Sequence, residues 1–228
     1  MGTRERQDRE RQAVREKILT AARQLFIAEG FRNVSMRKIA ERIEYSPAAI
    51  YSYFPSRDDI FIALFAEGFR LMESAPGGTA ASGDPLEALR ALFLGYYQFA
   101  RRHPEYFDLM FLDRTVPQFC EHWEKFDFMD EKMREAVTIV QSAIDAGVLP
   151  AGTDAGAAFH VLWGAVHGPA TAAVCGRFGP GEDPDALAHD VFEAALAGLR
   201  AGSHVTFVPF TPAPGAVLSS SAEDSHVS

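Results

Sequence analysis

Apolar residues recur every three or four positions along most of this chain, which is the spacing of one face of an α-helix. In the first such segment, from about Gln12 to Glu29, the repeat includes Ile18, Ala22 and Phe26. A glycine follows the segment and predicts its end. The alternation of apolar and polar residues that marks a half-buried strand is scarce. The pattern therefore predicts an all-α protein.

Serine residues precede the next three predicted helices, at Ser35, Ser46 and Ser56. A serine hydroxyl is a favoured N-cap because it accepts a hydrogen bond from an otherwise unpaired backbone N–H. The first two of these helices are short and are joined by a brief turn, and the third runs from Arg57 to about Glu73. Short helices at this spacing are typical of a helix-turn-helix unit.

A stretch of small and helix-breaking residues, 74–83, separates these helices from a second helical region. Helices in the second region are predicted to begin near Pro85, Pro104, Pro117, Thr153 or Asp154, and Pro184. We predict a three-helix head over residues 12–72, a larger helical-bundle domain over residues 84–202 and a disordered tail over residues 203–228.

Charge is divided unevenly along the chain. The formal net charge is −9, yet residues 1–60 carry 12 Lys and Arg against 9 Asp and Glu, whereas the remaining residues carry 10 against 22. A phosphate backbone would attract the N-terminal part and repel the rest. No apolar run is long enough for a membrane span, no secretory leader is visible, and only two cysteines are present. We therefore expect a cytoplasmic protein without a membrane partner or a disulfide framework.

The second of the short helices has the surface that a DNA-reading helix needs. Its exposed positions are predicted to carry small or hydrogen-bonding side chains together with Tyr51 and Tyr53. Such a helix can enter a major groove closely, and its tyrosines can reach phosphates or thymine methyls. Periodicity alone favours equally an alternative in which these helices belong to an ordinary bundle.

Residues 30–40 (GFRNVSMRKIA) and 46–54 (SPAAIYSYF) resemble the DNA-binding domain of TetR-family regulators. The shared pattern has a glycine–aromatic turn, a Thr or Ser cap, Ile-Ala, a serine before the recognition helix and Tyr-x-Tyr-Phe at its end. The resemblance covers about residues 12–72 and implies binding to double-stranded operator DNA. The residues that we predict to contact DNA are Ser35, Arg37, Lys38, Ser46, Pro47, Ala48, Ala49, Tyr51, Ser52, Tyr53 and Arg57.

Two positions depart from the family pattern. The Ala-Gly-Val that is usual before the serine is Ile43-Glu44-Tyr45 here, so a bulky side chain and an acid occupy the turn. We expect Tyr45 to pack or to touch the DNA backbone rather than to read bases. Arg57 replaces the usual lysine, and its guanidinium can preserve a phosphate contact.

Arginines are frequent at the N-terminus, where acids interleave with them: Arg4, Arg6, Arg9, Arg11 and Arg15. Two interpretations are open. The segment is a solvated extension of the first helix, or it is an arm that enters a minor groove.

In the larger domain, residues 162–168 (LWGAVHG) resemble the Trp…His-Gly signature of one C-terminal subgroup of the TetR family. On a helix, His160, Trp163 and His167 share one face and can line a ligand pocket. The alternative is that both histidines are satisfied core or interface residues. Histidines seven residues apart are about 10 Å apart along a helix, so they cannot share a metal ion, and no metal or cofactor is predicted.

Aromatic and methionine side chains between bundle helices form the core by default and can also line a ligand cavity. The residues that we predict to bind a small-molecule effector are Phe107, Met110, Phe111, Phe126, Met129, His160, Trp163 and His167.

The last two predicted helices are rich in alanine and glycine and carry apolar faces. In TetR-like proteins the corresponding helices form a four-helix dimer interface, so the resemblance implies a homodimer. Small residues agree with this because they allow helices to approach closely. The predicted interface residues are Gly164, Ala165, Ala172, Leu187, Val191, Ala195, Gly198 and Leu199.

Together these features predict a sequence-specific transcriptional regulator, a repressor that a small, largely apolar effector releases from its operator. The alternatives are a helical adaptor that does not bind DNA, and a redox-sensing regulator that uses Cys120 and Cys175. An enzyme is not predicted, because Gly-x-Ser-x-Gly, P-loop and Cys-x-x-Cys motifs are absent from the sequence. The Glu-x-x-His motif of di-iron bundles occurs only at Glu223–His226, in the predicted tail.

Overall fold

The computed structural model describes residues 3–74, 83–116 and 126–209. These ranges contain helices and loops and no strand, which confirms the predicted all-α fold. The α-helices are α1 (Thr3–Glu29), α2 (Met36–Arg42), α3 (Pro47–Tyr51), α4 (Arg57–Glu73), α5 (Pro85–Arg102), α6 (Pro104–Phe107), α7 (Asp127–Asp145), α8 (Ala155–Val174) and α9 (Pro184–Arg200). A single 3₁₀ turn, Phe31–Asn33, follows α1, and a π-helical turn, Asp108–Leu112, continues α6.

The head is built from α1, α2 and α3 around a small apolar core, and α4 leads out of it. Ile18, Ile39 and Ile50 are completely buried there, one from each of the three helices. The hydroxyls of Ser35, Ser46 and Ser56 accept hydrogen bonds of 3.2 Å from the backbone N–H three residues later. All three predicted caps are thus formed, and they fix where α2, α3 and α4 begin.

Two helix bounds in the head differ from those predicted by periodicity. α1 begins at Thr3 rather than near Gln12, so the arginine-rich leader is helical, as its interpretation as an extension of the first helix requires. α3 ends at Tyr51 instead of Phe54, and the Ser52 hydroxyl donates a 2.7 Å hydrogen bond back to the Ala49 carbonyl. A serine that bonds to the preceding turn competes with continuation of the helix.

The larger domain packs α5, α7 and α9 around α8. The guanidinium of Arg90 on α5 bonds to both carboxylate oxygens of Glu193 on α9, at 2.7 and 3.3 Å. The guanidinium stabilises the ionised carboxylate and thereby lowers the pKa of Glu193. A second link joins the same helices, because the Tyr97 hydroxyl donates a 2.6 Å hydrogen bond to Asp185. α8 passes through Pro169 and runs on to its end at Val174.

Two predictions for the larger domain concern segments that lie partly outside the described residues. The long helix predicted from Pro117 is described from Asp127 onward, because residues 117–125 lie outside the described ranges. Residues 203–209, predicted as part of a disordered tail, have no regular secondary structure, and the Phe207 ring centre is 4.9 Å from that of His160 on α8. The prediction for residues 210–228 concerns residues outside the described ranges.

Candidate DNA-binding head and aromatic core

α3 presents a surface of small and hydroxyl-bearing side chains to solvent. The buried Ile50 fixes the orientation of the helix against the head, and Tyr53 is half-buried behind it. Of the predicted DNA contacts on this segment, Ala49 is half-buried and the exposed ones are Ser46, Pro47, Ala48, Tyr51 and Ser52. These residues form an exposed, uncharged ridge on α3, and a helix that enters a major groove needs such a surface.

The predicted contacts on α2 are also exposed, although its two cations have partners within the head. The Arg37 guanidinium lies 2.8 Å from Glu41, and the Lys38 ammonium pairs with Glu29. Lys38 also donates to the carbonyl of Asn33 at 3.2 Å. Exposed ion pairs of this kind contribute little energy, so a phosphate can compete for either cation.

Arg57 makes several contacts within the head that the sequence did not predict. Its Nη1 donates to the carbonyl oxygens of Phe31, Arg32 and Val34 at 3.1, 3.4 and 3.2 Å. Its guanidinium carbon lies 4.0 Å from the centre of the Phe31 ring. The side chain therefore fastens the 3₁₀ turn to the start of α4, and its contact with phosphate stays a prediction.

The turn before α3 has a backbone conformation that favours glycine, the residue that is usual there in the family. Glu44 has φ of 61°, and it is the only residue other than glycine with positive φ among the described residues. An L-residue with a side chain pays a steric penalty in this region, which glycine avoids. Tyr45 is 36 % exposed, so most of its side chain packs on the head.

In the larger domain, aromatic rings from three segments surround His167. The ring centres of Trp163, Phe107, Tyr96 and Phe111 lie 4.7, 5.6, 6.1 and 6.1 Å from that of His167. The contact is close packing of rings rather than an open cavity. Two shallow surface grooves, one between α1 and α2 and one on α7, lie away from it.

One hydrogen bond is placed within this apolar cluster. The Tyr96 hydroxyl lies 2.7 Å from Nδ1 of His167. Burial raises the pKa of Tyr96 and lowers the pKa of His167, so both side chains are neutral at pH 7. With the hydroxyl as the donor, Nδ1 is the acceptor and the imidazole carries its proton on Nε2.

Phe126 belongs to a second group of rings, in which it packs against phenylalanines of α4. Its ring centre is 5.5 Å from that of Phe65 and 6.4 Å from that of Phe61. Phe65 is also 6.5 Å from Phe111, which joins the two groups. Because Phe61 contacts Phe31 of the head at 5.6 Å, rings in mutual contact extend from the head to His167.

The remaining predicted effector residues are dispersed. Met110 is buried against α4, where a Cβ at Gly68 would lie 2.2 Å from its sulfur. Met129 is half-buried at the start of α7. His160 lies apart from the cluster, and its Nδ1 is 2.8 Å from the carbonyl of Gly156. The structure thus brings together Phe107, Phe111, Trp163 and His167.

Two members of the aromatic core were absent from the predicted site. Tyr96 is a polar residue in the apolar face of α5, and that interruption is the signal that could have drawn attention to it. Phe65 lies on α4, which the sequence assigns to the head. Its position facing the larger domain becomes evident only once the two parts are packed together.

The α8–α9 face expected at the dimer interface is partly accessible in the single chain. Gly164 and Leu187 are exposed, and Val191 is half-buried. Half-buried too are the small predicted residues Ala165, Ala172, Ala195 and Gly198. Leu199 is 3 % exposed and packs in the core of the single chain, and its place in the interface stays a prediction.

Three further predictions concern a metal site, a membrane span and the cysteines. Among the described residues no group of histidine, cysteine, aspartate and glutamate side chains has the arrangement of a metal site. No described helix combines the length and the apolar character needed to cross a bilayer. Cys175 is a free and exposed cysteine, whereas Cys120 lies outside the described ranges.

Two family models match this chain. The model of bacterial regulatory proteins of the tetR family matches residues 18–64, and the model of the tetracyclin repressor-like C-terminal domain matches residues 89–197. Together they account for both the head and the larger domain and for more than half of the chain. The chain belongs to the tetR family.

Individual proteins resemble this chain in sequence or in fold. The repressor NicS of Pseudomonas putida is 28 % identical over 134 residues, which are 58 % of this chain and 62 % of NicS. A Rhodococcus sp. RHA1 protein of unknown function is 26 % identical over 82 % of this chain and 95 % of its own, with a TM-score of 0.67. The Bacillus subtilis regulator FadR, solved with stearoyl-CoA, has a TM-score of 0.68 at 18 % identity and covers 80 % of this chain and 98 % of its own.

Proposed function

We propose that this protein is a transcriptional repressor that binds operator DNA as a homodimer and leaves the DNA when a small, largely apolar effector binds. The observation that carries the DNA-binding part is the exposed ridge of α3. Ser46, Ala48 and Tyr51 point outward there, while Ile50 holds the helix on the head. Small side chains admit the helix to a major groove, and hydroxyls offer hydrogen bonds to bases and phosphates.

The effector part is supported by the rings around His167. They offer an apolar surface with a single polar pair, Tyr96 and His167, which suits a ligand that is mostly apolar and carries few polar groups. The resemblance of residues 162–168 to a Trp…His-Gly subgroup supports the same location. An effector must separate these rings to enter, because they are in mutual contact.

The coupling part is supported by α4, which reaches from the head to the aromatic core. A ligand that separates Phe111 from Phe65 displaces α4 and, with it, Phe61 at the head. A ligand can shift this equilibrium only by its difference in affinity for the two arrangements of the heads, and such couplings are typically about 1–3 kcal/mol. Operator DNA must then weaken effector binding by the same factor.

DNA binding is tested with duplexes from the region upstream of the protein's own gene, using fluorescence anisotropy. Tyr51→Ala should weaken binding to the specific duplex by about tenfold or more, because the side chain is 53 % exposed on the ridge of α3. Met133→Ala is the matched control, since it truncates another exposed side chain on α7. Absence of wild-type binding to every upstream duplex would reject the repressor in favour of an adaptor.

Effector binding is tested by thermal shift with uncharged aromatic compounds and with stearoyl-CoA, which is the ligand named for the FadR structure. A compound that raises the melting temperature is then titrated by calorimetry with and without saturating operator duplex. We expect weaker binding with the duplex present. Equal dissociation constants in the two titrations would exclude release of DNA by that compound.

A further inference from the structure

The N-terminal part of α1 extends past the head in a defined direction. The side of α1 that packs into the head carries Ile18, Ala22 and Phe26, all buried. At 100° per residue, Arg4, Arg11 and Arg15 lie on that same side, within about 40° of one another. On this side of α1, cationic residues thus precede the apolar residues that pack into the head.

Two of these arginines contact the residues that follow α3. The Arg15 guanidinium lies 4.9 Å from the centre of the Phe54 ring, and the Arg11 guanidinium lies 5.2 Å from that of Tyr53. Arg11 also donates to the carbonyl of Ser52 at 3.3 Å. These partners are the residues that follow α3, so the extension of α1 lies over the C-terminal end of the recognition helix.

The opposite side of the extension is largely neutralised. Arg6 pairs with Glu10 at 2.8 Å, and Gln12 donates to Glu16 at 3.1 Å. Arg4 forms no ion pair with any residue that the structure describes. Asp8 lies one turn from Arg4 and is the single acid near the cationic side. The uncompensated positive charge therefore faces the same way as the end of α3.

We propose that this side of α1 is a second DNA-contact surface, on which Arg4 and Arg11 bind phosphates beside the groove that α3 enters. The proposal rests on the proposed function. Arg11 lies against Tyr53, whose hydroxyl is itself a predicted phosphate contact, and Arg4 is about 10 Å further along the helix. A guanidinium binds phosphate through two parallel hydrogen bonds, and the contact is independent of base sequence.

The test measures how binding of the full-length protein to a mixed-sequence duplex of about 40 base pairs depends on salt, by fluorescence anisotropy. Each phosphate that a cation neutralises contributes about −0.9 to the slope of log affinity against log salt. Arg4→Ala should flatten the slope by about two for a dimer. The wild type should therefore lose about tenfold more affinity than the variant between about 50 and 200 mM salt.

Arg6→Ala is the matched control, because it removes the same charge from the same turn on the neutralised side. It should keep the wild-type slope, and Arg4→Lys should keep most of it, since the charge remains. Equal slopes for Arg4→Ala and Arg6→Ala would overturn the proposal, whether both match the wild type or both fall. A wild type that binds no duplex would overturn the proposed function itself, and this surface with it.

Discussion

Arg57 shows how one cation can hold a loop by satisfying several acceptors at once. Its three carbonyl partners belong to the turn that connects α1 to α2, and its guanidinium lies over the Phe31 ring. The Phe31 carbonyl also accepts the backbone N–H of Val34 at 3.4 Å, and a carbonyl gains more from a charged donor than from a neutral one. Arg57 therefore contributes to the stability of the head, independently of any contact with DNA.

We expect Arg57→Ala to lower the free energy of unfolding by about 2 kcal/mol, because partly buried acceptors lose a charged donor. Urea denaturation followed by circular dichroism measures the change. Arg37→Ala is the control, since its side chain is 79 % exposed and, among the described residues, pairs only with Glu41. A cost for Arg57→Ala no larger than that of the control would assign the residue to DNA contact alone.

His167 is the group that should make stability depend on pH near neutrality. Burial lowers the pKa of His167 in the folded chain, so the unfolded chain binds a proton first as the pH falls. Its contribution to stability is complete above the unfolded pKa of about 6.5 and is lost progressively below it. The raised pKa of Asp108 acts in the opposite sense, because the folded chain then binds the proton more readily.

The expected result is a wild type that loses stability between about pH 7 and pH 5.5 by at most about 1.4 kcal/mol per pH unit. His167→Gln should remove most of that dependence, although it lowers stability at pH 7 by weakening the bond to Tyr96. Chemical denaturation at a series of pH values is the measurement, and His189→Gln, at an exposed site, is the control. An unchanged pH profile for His167→Gln would refute the assignment.

At the scale of the elements, α4 meets the turn after α6 through a notch at Gly68. A Cβ there would lie 2.2 Å from the sulfur of Met110 and 3.3 Å from the ring of Tyr106. Tyr106 also lies under the Arg23 guanidinium, 5.0 Å from its ring centre, so α1 reaches the same contact. The notch lets head and larger domain pack without a gap.

Gly68→Ala should therefore destabilise the protein by about 1–2 kcal/mol, because the overlap with buried Met110 exceeds the gain in helix propensity. Gly95→Ala is the matched control on α5, where nothing lies within 4 Å of the added carbon, and it should stabilise the helix slightly. In a double-mutant cycle Met110→Ala should relieve most of the cost of Gly68→Ala. Additive effects would show that the two residues are independent.

The elements also show what the sequence could and could not predict. Ser35, Ser46 and Ser56 marked three helix starts correctly, because capping is a local interaction. Periodicity alone placed the start of α1 near Gln12 because the first residues have no apolar repeat, and pairs such as Arg6 with Glu10 support that turn instead. The Met110 contact with Gly68 joins distant parts of the chain, which periodicity does not report.

At the scale of the whole molecule, the face formed by α8 and α9 keeps apolar side chains that the single chain does not fully bury. α9 buries Ala188, Phe192 and Leu196 in its own subunit. Leu187 and Val191 lie on a different side of the same helix, and Leu187 is 43 % exposed. An apolar helix side that remains accessible next to small residues on a neighbouring helix is suited to isologous pairing with a second copy. A pair of heads is also what a two-fold operator requires.

We expect the wild type to be a dimer at micromolar concentration and Val191→Glu to be a folded monomer, because the substitution places a charge in an apolar interface. Ala186→Glu is the matched control, since it adds the same charge to α9 on a side away from Val191. Light scattering measures assembly, and circular dichroism verifies that each variant is folded. Operator affinity should fall for Val191→Glu, because a single head binds one half-site. A monomeric wild type, or a Val191→Glu variant that remains dimeric, would place the interface elsewhere.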